Sequence, residues 1–514
     1  MSVNKNLVAA YTGTLIGVLL PLAITPILLK ALGREAFGLI GFGLILQSIF
    51  SLMEVGFSAS LLRFFAEITS QVEAAGNAMR MHNLLRTFES IYIFLSVGVF
   101  LVVLLIAPFL AKHWFVNHSL EYHVVWQCVS LMGFMIATRF FVSLYAGGLA
   151  GLHHQESLYK IFIPMNLFGS LGAALVLVWV TPDPRIYFFW LGLSGILTVV
   201  ILRITLMQKL PKISLKPKFD RKEWLNVKQF TYGMSSLTFT SLAVTQTDKL
   251  LLSRFISLQD FGFYSVASNV ASFIQVITTP IQSVFFPRLT QLHSLGNKEL
   301  LNSSYLFASR LVTLIVVPIA STLAVFSQDI LFLWLRDLNV AQEMHLVLSF
   351  LVCGTCFLVC FMMMPYALSL AHANTKITLK SHIIMLIIQI PIIIFTAINY
   401  GAIGTASVML AMYVVYGPIY SWYINKKYFS NKHFLWLYES ILTPAIPAVL
   451  VVLSVKWLVI HFSVSNSFSI LYLPIVWGAA QTVSWIVAPL PGICLSRAIK
   501  QWFDNIRITL KKND

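Results

Sequence analysis

Charge is what this chain has least of. Asp, Glu, Lys and Arg make up 11% of its 514 residues, against 58% hydrophobic residues, and only 19 residues are acidic. A soluble domain is about half apolar and about a quarter charged, so the composition excludes a soluble protein. Cysteine is scarce too. The five present (Cys128, Cys353, Cys356, Cys360 and Cys494) all lie in apolar segments or at their ends. Cys353, Cys356 and Cys360 share a helix face that lacks metal or redox partners, so packing is their expected role. There is no P-loop, no HExxH and no nucleophile elbow. The chain therefore hydrolyses no ATP of its own by these devices, and no cofactor is expected.

Long apolar runs take the place of charge. They recur from end to end, each near the ~20 residues that a ~30 Å hydrocarbon core needs, and continuous apolar runs are the helical way to cross lipid. About fourteen spans are expected: 7–29, 37–61, 88–110, 124–147, 161–180, 186–206, 230–252, 262–286, 305–327, 345–368, 378–398, 403–424, 441–461 and 470–490. The first is too long for a signal-peptide core and contains Pro21 and Pro26, so it reads as a retained membrane helix. The fold class is an all-α polytopic membrane protein.

The net charge of +16 is placed unevenly. If the N-terminus is cytoplasmic, most basic residues fall in inside segments; only Lys30, Arg34, Lys112, Arg185, Arg254 and Arg336 fall outside. This is the positive-inside pattern, and it predicts both termini in the cytoplasm. It explains the basic balance through anionic lipid headgroups, with no nucleic acid. Trp114, Trp179, Trp190, Trp224, Trp334, Trp436 and Trp457 fall near span ends, as interfacial rings should.

The densest basic loop, within 207–229, divides the chain. Phe37-Gly38 after Glu35 matches Phe261-Gly262 after Asp260, and Arg63 matches Arg288 at almost the same offset. Both halves start from the same side, so the repeat is parallel. The expected organisation is an N-lobe at 1–206, a basic linker at 207–229 and a C-lobe at 230–424. An additional helix pair at 425–490 and a basic tail at 491–514 follow.

Polar residues form helical stripes. Thr238, Ser241, Thr245, Asp248 and Lys249 share one arc of the seventh span. Gln47, Ser51, Glu54 and Ser58 share an arc of the second, and Ser268, Ser272, Gln275, Thr279 and Gln282 one of the eighth; Tyr11 lies on a weaker stripe of the first. Ser and Thr alone would suit packing. A charge at the bilayer centre costs at least ~2.5–3.5 kcal/mol and faces a partner or a wet cavity. Glu54, Asp248 and Lys249 on such stripes therefore point to a cavity. Arg139 is open to three roles: snorkelling, pairing, or touching a substrate. Arg310 and Lys456, nearer span ends, are expected to snorkel.

Two stretches carry a family resemblance. "LGREAFGLIGFGLILQSIFSLMEVGFSASLLRFFAE" contains Leu32-Gly33, Phe37-Gly38, Glu54-Val55-Gly56, Arg63 and Glu67. "TQTDKLLLSRFISLQDFGFYSVA" contains Asp248, Lys249 and Phe261-Gly262-Phe263-Tyr264. They resemble the Wzx-type oligosaccharide-lipid flippases of the multidrug/oligosaccharidyl-lipid/polysaccharide (MOP) exporter superfamily. Many members carry Asp where Glu54 stands.

The resemblance implies two six-helix lobes around a central cavity lined by the first, second, seventh and eighth helices. It implies an undecaprenyl-diphosphate-linked oligosaccharide, moved to the outer leaflet of the bacterial inner membrane for O-antigen or a similar polysaccharide. Lys249, with Arg139, would then meet the diphosphate, after capture by Arg63 and Arg288. Gln47, Ser51, Tyr11, Thr245, Gln275, Thr279 and Gln282 would bond the sugar. Glu54 and Asp248 would hold these cations or bind a coupling Na⁺ or H⁺. Adjacent helical residues are 100° apart, so Asp248 and Lys249 are expected to make separate contacts. Expected partners are the lipid-linked glycan, membrane lipids and polymerase machinery. The alternatives are a multidrug or organic-cation antiporter, a lipid II flippase and, from the enzyme class, a membrane glycan polymerase.

Overall fold

The computed structural model describes residues 20–70, 77–115, 120–152, 154–211, 217–220, 239–429, 432–461 and 469–487, with residue 17 alone before them. Side chains at 52–59, 66, 70 and 469–472 are outside that description. The helices are α1 (Leu20–Leu32), α2 (Arg34–Ser70), α3 (Asn77–Phe109), α4 (Tyr122–Gly151), α5 (Gln155–Trp179), α6 (Pro184–Lys209), α7 (239–255) and α8 (Leu258–Ser294). They continue as α9 (Lys298–Val325), α10 (Ser327–Leu335), α11 (Leu338–Ala371), α12 (Thr375–Tyr428), α13 (His433–Trp436), α14 (Thr443–His461) and α15 (Ser469–Val487). Every expected span meets a helix. Among the described residues, nine helical runs are long and apolar enough to cross a membrane. The chain is a multi-pass membrane protein.

The stops and starts have local causes. Gly33, at φ 82°, ends α1 in a left-handed conformation that suits glycine. Asp183 caps α6 by accepting the Arg185 N–H (2.8 Å), and Asp337 caps α11 by accepting from Asn339 and Val340 (3.0 and 3.2 Å). The Arg185 guanidinium also binds the Asp183 carboxylate and holds it below the usual carboxylate range. The spans expected at 378–398 and 403–424 run on as α12, broken only at Gly401 (φ 59°, ψ −142°), a region that essentially only glycine enters.

The described residues fall into two compact units, one drawn from 1–266 and 382–405, the other from 267–381 and 406–514.

In the first unit α4 packs against α2, α3 and α6. Glu89 of α3 is buried at their meeting point. It accepts from the Tyr145 hydroxyl (2.8 Å) and Arg203 Nε (3.0 Å), and Arg86 lies 3.5 Å away. A carboxylate in lipid requires such partners. Nearby, Pro211, Lys218 and Asp220 of the linker meet the first turns of α3. Lys218 N–H donates to Asn83 Oδ1 (2.8 Å), Asp220 N–H to Thr87 Oγ1 (2.9 Å), and His82 Nε2 meets the Pro211 carbonyl (2.9 Å).

In the second unit the additional helices pack on α9. Trp436 is fully buried. Its indole N–H donates to Ser309 Oγ (2.9 Å), and its ring stacks on Tyr305 at 6.3 Å. It is therefore a core anchor and not an interfacial ring. The snorkelling expected of Arg310 and Lys456 is also replaced by pairing. A widened π-turn, Leu437–Leu442, brings Glu439 to Arg310, whose Nε donates to the Glu439 carbonyl (2.9 Å) and Nη2 to its carboxylate (3.3 Å). Lys456 of α14 pairs with Asp329 of α10 (2.9 Å).

Pro318 interrupts α9. Having no N–H, it leaves the Leu314 carbonyl without its helical partner. Gln481 of α15 donates to that carbonyl (2.9 Å). Gln481→Leu is expected to lower the stability of the protein in detergent by about 0.6–1.7 kcal/mol, the range of interhelical hydrogen bonds in membranes. A thermal melt of purified protein checks this; an unchanged midpoint would show that water or lipid serves the carbonyl equally well.

Candidate functional site

The seventh span contains the densest polar stripe. Its hydroxyls largely serve the helix itself. Thr245 Oγ1 donates to the Ser241 carbonyl (3.1 Å), and Thr247 Oγ1 to that of Ala243, the back-bonding that makes Ser and Thr cheap in lipid. The two charges behave differently. Asp248 is 1% exposed. Its carboxylate accepts from the Tyr264 hydroxyl of α8 (2.7 Å) and lies 3.4 Å from Lys249 Nζ. Lys249 Nζ also donates to the Thr245 carbonyl, one turn back, at 2.9 Å.

Two corrections follow. Asp248 and Lys249 do pair, because the four-carbon lysine stem folds back across the 100° between their Cα–Cβ directions. Asp248 is also committed to Tyr264, a partner that the reading of the stripe omitted. What remains open on this wall is Lys249, half-buried with three donors on its ammonium. Gln389 of α12 reinforces the wall, its amide donating to the Val244 carbonyl (3.1 Å).

The other candidates of the first unit are spread out. Gln47 and Ser51 of α2 are half-buried; Ser51 Oγ donates to the Ser48 carbonyl (2.7 Å). Arg139 of α4 is half-buried and within electrostatic reach of Tyr187 on α6. Arg63 is exposed near the end of α2. The Glu54 side chain, Tyr11 and Thr238 lie outside the described residues. Glu89 and Arg203 were not singled out from the sequence, because a lone acid one turn inside a span looks like a helix end.

In the second unit, Gln275 and Thr279 are exposed on α8, and Gln282 and Arg288 are half-buried. Ser272 is exposed on the same stripe, whereas Ala271, Ile274 and Leu289 are buried. Ser268 of the stripe and Thr278 are buried, however, and Val284 is exposed, so of this stripe only Ser272, Gln275 and Thr279 form an exposed polar face. No group of three His, Cys, Asp or Glu fit to hold a metal occurs among the described residues.

Comparison with known proteins agrees with this architecture. A putative O-antigen transporter of Shigella flexneri is 21% identical over 415 residues, covering 79% of this chain and 94% of the relative. The uncharacterized membrane protein EpsK of Bacillus subtilis is 23% identical over 380 residues, 70% of this chain and 71% of its own. Among solved structures, the lipid II flippase MurJ in an inward closed conformation superposes with a TM-score of 0.69 at 14% identity, over 93% of this chain and 97% of its own. An inward-facing multidrug resistance MATE family transporter of the MOP superfamily gives 0.64 at 12% identity, over 83% and 99%. These superpositions show the fold. The profile of the family described as polysaccharide biosynthesis protein matches residues 3–293, more than half of the chain, and the chain belongs to that family.

Proposed function

We propose that this protein is a flippase that carries an undecaprenyl-diphosphate-linked oligosaccharide from the cytoplasmic to the outer leaflet of a bacterial inner membrane, with both termini in the cytoplasm. Membership of a polysaccharide biosynthesis family supports the substrate class. The observation within the molecule that carries it is the Lys249 ammonium on the polar wall of α7. A drug-cation antiporter needs an acidic, aromatic site. Here the nearby acid, Asp248, is buried and held by Tyr264 and Lys249, and the more open charge is positive. A diphosphate needs that cation. Arg63 and Arg288, expected at the cytoplasmic ends of α2 and α8, would capture it first, and exposed groups such as Gln275 and Thr279 would bond sugar hydroxyls. Rocking of the two repeats would alternate access. Asp248 couples to substrate through Lys249, or to Na⁺ or H⁺ once Lys249 is drawn away.

The chain is expected to act by binding and release, without covalent chemistry. Deleting its gene should abolish surface polysaccharide and leave the lipid-linked oligosaccharide on the cytoplasmic leaflet, and re-expression should restore display. Accumulation of the glycan on the outer leaflet in the deletion strain would place the defect after flipping and point to polymerisation.

A further inference from the structure

One buried acid in the first unit holds two cations. Glu89 of α3 accepts from Arg203 Nε of α6 (3.0 Å), and the Arg86 guanidinium, one turn before it, lies 3.5 Å from its second oxygen. The Tyr145 hydroxyl of α4 donates to the first oxygen (2.8 Å). The carboxylate is 6% exposed, whereas Arg86 and Arg203 are 52% and 49% exposed. By contrast, Arg185 with Asp183 and Lys456 with Asp329 set one cation against one acid. Two guanidiniums against one carboxylate leave a positive charge over. They also carry more N–H donors, five on each, than one carboxylate can accept. The described linker residues on this stretch of α3, Lys218 and Asp220, are one base and one acid and leave that balance unchanged.

Both arginines stand about two turns from the helix ends that meet the linker, the ends that the positive-inside pattern assigns to the cytoplasm. From there toward the membrane centre the same helix faces are apolar and exposed. Ile93 and Val97 stand about two and three turns from Arg86, and Val200 and Ile196 about one and two turns from Arg203. At 100° per residue each lies within about 60° of its arginine. The surface therefore has a cationic end at headgroup depth and an aliphatic length beyond it.

We infer that Arg86 and Arg203, oriented by Glu89, bind the phosphate of an anionic phospholipid on the lipid-facing surface of α3 and α6. This goes beyond the flippase reading and does not depend on it. A guanidinium pair suits a phosphate, which accepts from planar forks, and basic sites between helices on the cytoplasmic side are suited to anionic headgroups. The buried carboxylate fixes the two forks from behind, so little side-chain freedom is lost on binding. The excess charge selects the headgroup: a zwitterionic lipid brings its own cation toward the second arginine, and an anionic lipid does not. The acyl chains then lie along Ile93 and Val97 or Ile196 and Val200.

The test uses the purified full chain in a neutral detergent, titrated with dioleoylphosphatidylglycerol or dioleoylphosphatidylcholine, with bound lipid counted by native mass spectrometry. The wild type should retain phosphatidylglycerol in preference; equal retention of phosphatidylcholine would overturn the anionic assignment. Arg86→Gln should weaken phosphatidylglycerol about fivefold, the worth of one basic residue near an anionic surface. It leaves Arg203 and Tyr145 on the carboxylate, so the buried acid stays paired. Lys160→Gln makes the same change of charge at a lysine that has its own acid, Glu156, and should leave binding unchanged. Glu89→Gln with Arg203→Gln removes one acid and one cation together. Attraction by net charge alone would be unchanged in that variant, whereas a site of two oriented guanidiniums should lose about fivefold. No loss in Arg86→Gln, or an equal loss in Lys160→Gln, would overturn the site, and so would normal binding by the Glu89→Gln, Arg203→Gln variant. If that variant does not accumulate, Arg86→Gln against Lys160→Gln decides. Displacement of phosphatidylglycerol by a lower concentration of undecaprenyl diphosphate would make the cluster a point of substrate entry and overturn the phospholipid assignment.

Discussion

Lys249→Ala is expected to lower surface polysaccharide about tenfold to a hundredfold while the protein remains in the membrane at normal level. The magnitude follows from one charge-assisted hydrogen bond to phosphate, worth about 1.5–3 kcal/mol, with each ~1.4 kcal/mol a factor of ten. The loss should be seen as lipid-linked oligosaccharide held on the cytoplasmic leaflet. The change leaves the buried Asp248 carboxylate with the Tyr264 hydroxyl and without its lysine, which is costly, so display is compared with that of Asp248→Asn with Lys249→Ala, in which both charges are removed. Lys249→Arg should retain much of the activity, since a guanidinium also binds phosphate. Normal display by Lys249→Ala would remove this residue from the mechanism. The membrane potential supplies part of the drive. Moving one charge through 100 mV is worth ~2.3 kcal/mol, so two uncompensated negative charges leaving an inside-negative cell gain roughly 4–5 kcal/mol. Neutralising Lys249 should therefore also change how strongly export depends on the potential.

The second large effect concerns stability. Trp436→Ala should destabilise the protein by about 3–5 kcal/mol, the usual cost of truncating a large buried aromatic. The indole is enclosed by Tyr305, Phe361 and His433 and bonds Ser309, so the cavity has little means of collapse. Trp436→Phe separates the parts: it keeps most of the ring volume and loses the hydrogen bond, about 1 kcal/mol. Melting of purified protein in one detergent, wild type beside both variants, measures the difference. A Trp436→Ala midpoint equal to that of Trp436→Phe would mean that packing contributes nothing beyond the hydrogen bond.

Trp436 also marks where reading from sequence stops. The spans were legible because each must supply about 20 apolar residues, and even the division of α12 was visible around Gly401. Pairing across the chain was not. Arg310 and Glu439 are 129 residues apart, Lys456 and Asp329 127, and near a helix end a paired cation has the same sequence signature as a snorkelling one. Trp436 resembled an interfacial ring because it stands at the start of a span; nothing local shows that α9 covers it. For the candidate site, a helical projection treats side chains as radial spokes. It placed Asp248 and Lys249 on one wall, but it ignores the length of the lysine stem and the identity of the facing helix. It therefore missed both their pairing and Tyr264.

The hydrogen bond from Gln481 to the Leu314 carbonyl bears on how such a chain could be shortened or lengthened. Pro318 opens a gap in the backbone ladder of α9, and a residue more than a hundred and sixty positions later fills it. Losing that hydrogen bond costs about 0.6–1.7 kcal/mol, the range of interhelical hydrogen bonds in membranes. A variant ending before α15 would expose that gap to lipid, so α15 is not a detachable appendage. Trimming the chain to twelve spans should succeed only when Pro318 is replaced as well, and Pro318→Ala together with removal of α15 should be better tolerated than removal alone.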